Sequence, residues 1–130
     1  MLSLRVKLSD LDKELIEQAI AASPKECCGL IITKDSGITR SIPIRNVAGE
    51  PRLHFVMDTT ELRDALSGLA ENESVLGTYH SHPTTDAIPS PADIYVDQAQ
   101  SRLQVIIGLA GRPTVKAFHT EGGRYTEVAI

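Results

Sequence analysis

The sequence predicts an α+β fold, a mixed β-sheet flanked by helices, and three observations carry that expectation. Two segments repeat apolar residues at the three- and four-residue steps of an amphipathic helix. Several others are short, apolar and β-branched, and are bounded by turn residues. From Leu103 onward, strand-like runs are joined by Gly111-Arg112-Pro113 and Glu121-Gly122-Gly123, which reads as an antiparallel meander.

Taken in order, Leu2 to Lys7 is expected as a short edge strand. Ser9-Asp10 then caps a first helix, with Leu11, Leu15, Ile16, Ala19 and Ile20 on its apolar face and Ser23-Pro24 as its stop. Cys27 to Thr33 reads as a buried strand with Glu26 at its mouth. Lys34-Asp35-Ser36-Gly37 turns it into a second strand from Ile38 to Val47. A loop follows, then a short strand around Leu53 to Val56. Asp58 or Thr59 caps a second helix running to Leu69, with Leu62, Ala65, Leu66 and Leu69 facing inward and Asn72 ending it. Ser74 to Tyr79 reads as a buried strand. Ser90-Pro91 opens a third helix to about Gln100, because Ser is a favoured N-cap and Pro a favoured first helical residue. Leu103–Leu109 is expected as a central strand, followed by Thr114–Phe118 and Arg124–Val128.

At 130 residues the chain is expected to form a single domain, residues 1–130, with room for a real core. Thirteen basic against seventeen acidic residues leave no basic stripe, and tryptophan is absent, so nucleic acid is not expected as a partner. No apolar run approaches a membrane span or a signal-peptide core. The only cysteines, Cys27 and Cys28, are adjacent and leave no partner for a long-range disulfide, so the expected compartment is the cytoplasm.

The chemistry concentrates between His80 and Asp93. Residues two apart on a strand share a face, so His80 and His82 present both imidazoles to one side, and Pro83 ends the strand. Asp93, at the third helical position, can swing its carboxylate back toward that strand end. Two imidazoles and one carboxylate are the protein half of a catalytic zinc site, whose fourth position is left to water. The plainer reading is that Ser90 and Asp93 only cap a helix. The ligand reading of Asp93 is preferred because two histidines alone leave zinc short of donors.

These residues resemble a known family. His80-Ser81-His82-Pro83 followed by Pro89-Ser90-Pro91-Ala92-Asp93 looks like the His-x-His-Pro…Ser-x-x-Asp signature of the JAMM (MPN-plus) zinc metallopeptidases. Pro24-Lys25-Glu26-Cys27-Cys28-Gly29-Leu30 matches the glutamate setting of its prokaryotic members. The resemblance runs from about Glu26 to the C-terminus. It implies the JAMM/MPN, cytidine-deaminase-like architecture, with Zn2+ on His80, His82 and Asp93. It implies Glu26 as general base and proton donor to the leaving amine. Ser90 is implied as the group that stabilises the oxyanion, and as a cap it would share its hydroxyl between two jobs.

By the same resemblance the substrate is a ubiquitin-like or sulfur-carrier protein, cleaved at an amide or isopeptide bond after its C-terminal tail. The tail is expected in a groove beside the metal, added to an exposed strand edge. The rival readings are a phage-tail-type peptidase, a non-catalytic scaffold of MPN type, and a nucleobase deaminase. The scaffold would lack a ligand, and none is missing. The deaminase would carry a Pro-Cys-x-x-Cys pair, whereas Cys27-Cys28 lies upstream at the wrong spacing. Cys27 is read as a packed thiol rather than a nucleophile, Ser81 as facing away from the metal, and His54 and His119 as surface residues. Asp86 is read as a solvated loop acid that could instead support a ligand imidazole.

Overall fold

The computed structural model describes residues 7–35, 37–96 and 102–130. Six strands form one sheet: β1 (Cys28–Lys34), β2 (Gly37–Ile44), β3 (Glu73–His82), β4 (Arg102–Gly108), β5 (Thr114–Glu121) and β6 (Arg124–Val128). Their spatial order is β2-β1-β3-β4-β5-β6, and only β3 and β4 run parallel. A parallel pair cannot be joined by a hairpin. The chain between β3 and β4 therefore crosses over one face, and this crossover carries α3 (Pro91–Val96). The expected mixed sheet, and the meander of its last three strands, are both present.

Alternation along the strands sorts the core into two sides. On one, α1 (Asp12–Ala22) buries Leu15 and Ala19 against Ile31, Tyr79, Val105, Ile107 and Ala117. On the other, α2 (Thr59–Ser67) lays Leu62, Ala65 and the following Leu69 over Leu30, Ile32 and Ile44. Further along that second side, Ala87 from the crossover covers Ile106 and Phe118. Asp58 caps α2 by accepting the Glu61 N–H at 3.0 Å. Among the described residues, no helix is long and apolar enough to cross a membrane.

Several local expectations are corrected, and two lie partly outside the described residues. The edge strand at Leu2 to Lys7 falls outside the described residues except for Lys7, whose N–H is held by Asp10 before a 3-10 turn at Leu8–Leu11. The helix after Ser90 is described only to Val96. Ile20 is exposed, because the face of α1 that meets the sheet is narrower than its apolar stripe. Leu66 is exposed for the same reason on α2, which ends at Ser67 with Gly68 as its C-cap. The second strand ends at Ile44 rather than Val47. Val75 and Leu76 were expected inside and are exposed. The register with β1 shifts between Ile31 and Ile32, a bulge that leaves Leu76 without a partner, and β4 meets β3 only from Gly77 onward. Among the described residues, that end of β3 pairs with β1 alone.

Leu53 to Val56 is not a strand. Residues 51–53 turn, and the segment rejoins through a single bridge between Asn46 and Met57. Its backbone is paired instead with the side chain of Asn46, which accepts from Val56 N–H and donates to the His54 carbonyl, both at 3.0 Å.

Candidate active site

Strand β3 ends at His82, and its last residues are the most buried part of it. His80 and His82 lie on the α2 side of the sheet, at the level where β3 meets Ile106 and Gly108 of β4. The third side chain arrives from α3. Ser90 N–H donates to Asp93 Oδ2 at 2.9 Å, and Asp93 N–H donates to Ser90 Oγ at 3.3 Å, a reciprocal capping box. This box holds the Asp93 carboxylate back over the strand end.

Asp93 Oδ2 stands 3.1 Å from His80 Nε2 and 3.2 Å from His82 Nε2, and the two Nε2 atoms are 3.2 Å apart. Three donors about 2.0–2.1 Å from a tetrahedral zinc stand roughly 3.3 Å from one another, so this triangle has the dimensions of one face of such a site. The tautomer agrees for His82. Its Nδ1 is 2.9 Å from the Asp86 backbone carbonyl, which can only accept, so Nδ1 carries the proton and Nε2 offers its lone pair to the triangle. It is thus the carbonyl of Asp86 that supports the imidazole, while its carboxylate lies in an exposed loop residue. His80 is fully buried, and among the described residues its Nδ1 has no hydrogen-bond partner.

Charge in the triangle follows the same geometry. Burial opposes ionisation of Asp93, but its contacts with the His80 and His82 imidazoles and the hydrogen bond from Ser90 N–H outweigh it and hold the carboxyl well below the usual carboxylate range. For His82, burial disfavours the cation, and the Asp93 carboxylate and Asp86 carbonyl overcome it, so its affinity for a proton is raised. Two imidazoles and an ionised carboxylate converging on one point are suited to a metal cation.

Glu26 lies immediately before β1 and is buried. Burial pushes its pKa up to about 7; the nearby His82 works against that rise and Asp93 adds to it, so all three groups feel one another's charge. Its backbone is held on both sides: Glu26 N–H donates to Pro51 O at 2.7 Å, and its carbonyl accepts from Asn46 Nδ2 at 3.0 Å. The next N–H, that of Cys27, donates to Ser81 Oγ at 2.8 Å, and Ser81 N–H returns to the Cys27 carbonyl at 3.0 Å. Ser81 therefore faces away from the triangle, as expected, and ties the mouth of β1 to the residue between the two histidines. Cys27 packs with the core on the α1 side. Burial raises both thiols, Cys28 to about 12.

A cavity of about 260 Å3 opens beside these groups. Glu26, Ser90 and Asp93 share its wall with Phe55, Met57, Thr78 and Gln104. Phe55 stacks on His80 with ring centroids 4.6 Å apart and planes at 23°. Sequence reasoning missed Phe55, Asn46, Thr78 and Gln104, and read Phe55 only as part of a strand. His54 is exposed at the rim of the same cavity and His119 is exposed on β5. The exposed strand edge expected beside the metal is not found there: among the described residues the sheet ends at β2 and β6, two and three strands from β3. The loop contributes Leu53, His54 and Phe55 to the cavity wall.

Comparison with known proteins identifies the family and the fold. Residues 8–120 match the model of the family described as prokaryotic homologs of the JAB domain. A desampylase from Haloferax volcanii is 29% identical over 117 residues, covering 88% of this chain and 84% of the relative. A Thermus thermophilus protein named a probable TtuB-protein conjugate cleaving protease is 37% identical over 109 residues, 83% of this chain and 69% of that one. A solved JAB1/MPN domain protein from Archaeoglobus fulgidus shares the fold, with a TM-score of 0.65 and 21% identity over 92% of this chain and 91% of its own. With a family match spanning most of its length, the chain belongs to the prokaryotic homologs of the JAB domain.

Proposed function

We propose that the protein is a zinc-dependent peptidase that hydrolyses the amide or isopeptide bond following the C-terminal tail of a ubiquitin-like or sulfur-carrier protein. Relatives named for desampylation and for cleaving TtuB-protein conjugates support a protein conjugate as the substrate. The observation that carries the chemistry is geometric: the donor atoms of His80, His82 and Asp93 converge, and the cavity beside them is lined by Asp93 together with the buried Glu26 and with Ser90. A reducing, cytoplasmic setting fits two adjacent thiols that are both free.

His80, His82 and Asp93 would hold the zinc, which would supply Lewis acidity and make water a stronger acid. Glu26 takes the proton from the attacking water as the water oxygen bonds to the scissile carbonyl carbon. When the carbon–nitrogen bond breaks, Glu26 returns that proton to the departing amine. A carboxylate held beside the attacking water can do both. Ser90 Oγ accepts from Asp93 N–H and so keeps its own O–H proton, which it donates to the carbonyl oxygen as negative charge develops there. Phe55, stacked against His80, keeps one side of the site apolar.

The test is incubation of zinc-loaded protein with carrier-protein conjugates, following release of the free carrier by intact mass. Cleavage should stop with a chelator and return with zinc. Glu26→Gln should cut turnover about 100- to 10,000-fold, to a small residual rate, while zinc stays bound at one equivalent. Cleavage that survives chelation, or a Glu26→Gln variant as fast as wild type, overturns the proposal.

A further inference from the structure

The loop from Asn46 to Met57 is closed by a two-stranded neck. Val47 N–H meets Val56 O at 2.8 Å, Asn46 bridges Met57, and Asp58 N–H meets Arg45 O at 2.9 Å. Inside the neck, one side chain reaches further than loop closure requires. Asn46 Oδ1 accepts from both Ala48 N–H and Val56 N–H at 3.0 Å, and this fixes the amide's orientation, because only its oxygen can face two donors. Its Nδ2 then donates to the His54 carbonyl and, outside the loop, to the carbonyl of Glu26, each at 3.0 Å, with Pro51 O at 3.5 Å.

The loop and the base are therefore one unit. Glu26 touches it through its N–H, on Pro51, and through its carbonyl, on Asn46. The same loop presents Phe55 to the ring of His80. On the far side, the peptide after Glu26 is held by Ser81, between the histidines. An amide that joins the base's carbonyl to the backbone on either side of Phe55 sets the distance between base and triangle, although it touches neither substrate nor metal.

We infer that Asn46 is a positioning residue for this site: its amide clamps the Glu26 backbone to the loop that seats Phe55 on His80. The inference rests on the reading of Glu26 as the base. Catalysis tolerates little misplacement, and an error of about 1 Å can cost on the order of 100-fold. Asn46→Ala should thus lower kcat about 10- to 100-fold with little change in KM and with one equivalent of zinc still bound. Asn46→Asp keeps the acceptor and loses the donor. In metal-free Asn46→Asp the amides of Ala48 and Val56 should stay protected from hydrogen exchange, whereas Asn46→Ala should expose them, and both should lose turnover.

The decisive measurement is a double-mutant cycle with Glu26→Gln, assayed well below each variant's melting temperature. If Asn46 acts through Glu26, Asn46→Ala costs almost nothing further once Glu26 is Gln. An equal cost in both backgrounds overturns the inference, as does wild-type kcat in either Asn46 variant. Failure of both variants to fold at the assay temperature makes the residue structural and also overturns it. Wild-type protein that cleaves no conjugate instead overturns the reading of function, and the two failures are thereby told apart.

Discussion

Gly108 is the residue on which the triangle's support can be tested without touching a ligand. It ends β4 opposite His82, and the crossover lies directly on it. A Cβ at this position would fall on the Ala87 backbone nitrogen, 2.7 Å from the Asp86 carbonyl carbon and 3.0 Å from Ala87 Cα. These are backbone atoms, pinned from above by a buried Ala87 side chain, and no rotamer relieves the overlap. Restoring ordinary contact moves the Asp86–Ala87 peptide by about 1 Å, which stretches the 2.9 Å bond from His82 Nδ1 to the Asp86 carbonyl beyond hydrogen-bonding reach. Overpacking of this kind costs about 1–3 kcal/mol and the lost hydrogen bond about 1 kcal/mol more. For a chain of this size Gly108→Ala should therefore melt roughly 6–15 °C below wild type. Loss of the group that orients His82 should weaken zinc binding about 10- to 100-fold. Thermal melts of metal-free protein read the first effect, and competition against a chromophoric chelator reads the second. A melting temperature within about 2 °C of wild type would refute the packing argument. A destabilised variant that binds zinc like wild type would refute the role given to the Asp86 carbonyl.

The remaining expectations concern charge. Burial, the largest effect, raises Glu26 to about 7, above its ordinary value of 4.5, so the folded metal-free protein holds this proton more tightly than the unfolded chain. Its contribution is complete below about pH 4.5 and is lost as pH rises through about 7, a change on the order of 2 kcal/mol. Metal-free Glu26→Gln should consequently gain stability over wild type between pH 5 and pH 8, and parallel melting curves across that range would contradict the assignment. Asp93→Asn keeps an oxygen for the Ser90 cap but removes the anionic donor. It should lose zinc on dialysis and turnover together, and zinc retained at one equivalent would contradict the ligand role of the carboxylate.

Much of the fold was legible because its signals are local. The runs that became β1, β4, β5 and β6 are apolar or β-branched over a few residues and end at turns, and the Asp58 cap of α2 is a single side-chain bond. The misreadings have a common cause in non-local geometry. Val75 and Leu76 have strand chemistry and are in a strand, but burial depends on where β4 begins to pair, and it begins at Gly77. Phe55 and Val56 also have strand chemistry, yet their segment pairs with the amide of Asn46 and not with a neighbouring strand. No residue pattern within the loop announces that partner.

The triangle was legible for a different reason: each half is written at a spacing that one secondary-structure element converts into direction. Two residues along β3 give two imidazoles on one side, and three residues from N-cap to Asp93 give a carboxylate turned back over the helix start. The plain reading of Ser-Pro-Ala-Asp as a helix cap and the reading as a ligand source were set against each other in the sequence, and they are the same set of bonds. Asp93 Oδ2 accepts the Ser90 N–H and also meets both Nε2 atoms. Capping is the means by which the carboxylate is aimed, so the free energy that starts α3 also preorganises the third donor. The placement of Glu26 lacks any such local rule. It is set by Pro51, Asn46 and Ser81, far apart in the chain and bonded to backbone atoms that every residue possesses. A resemblance to other sequences could indicate that glutamate; only coordinates could show what holds it there.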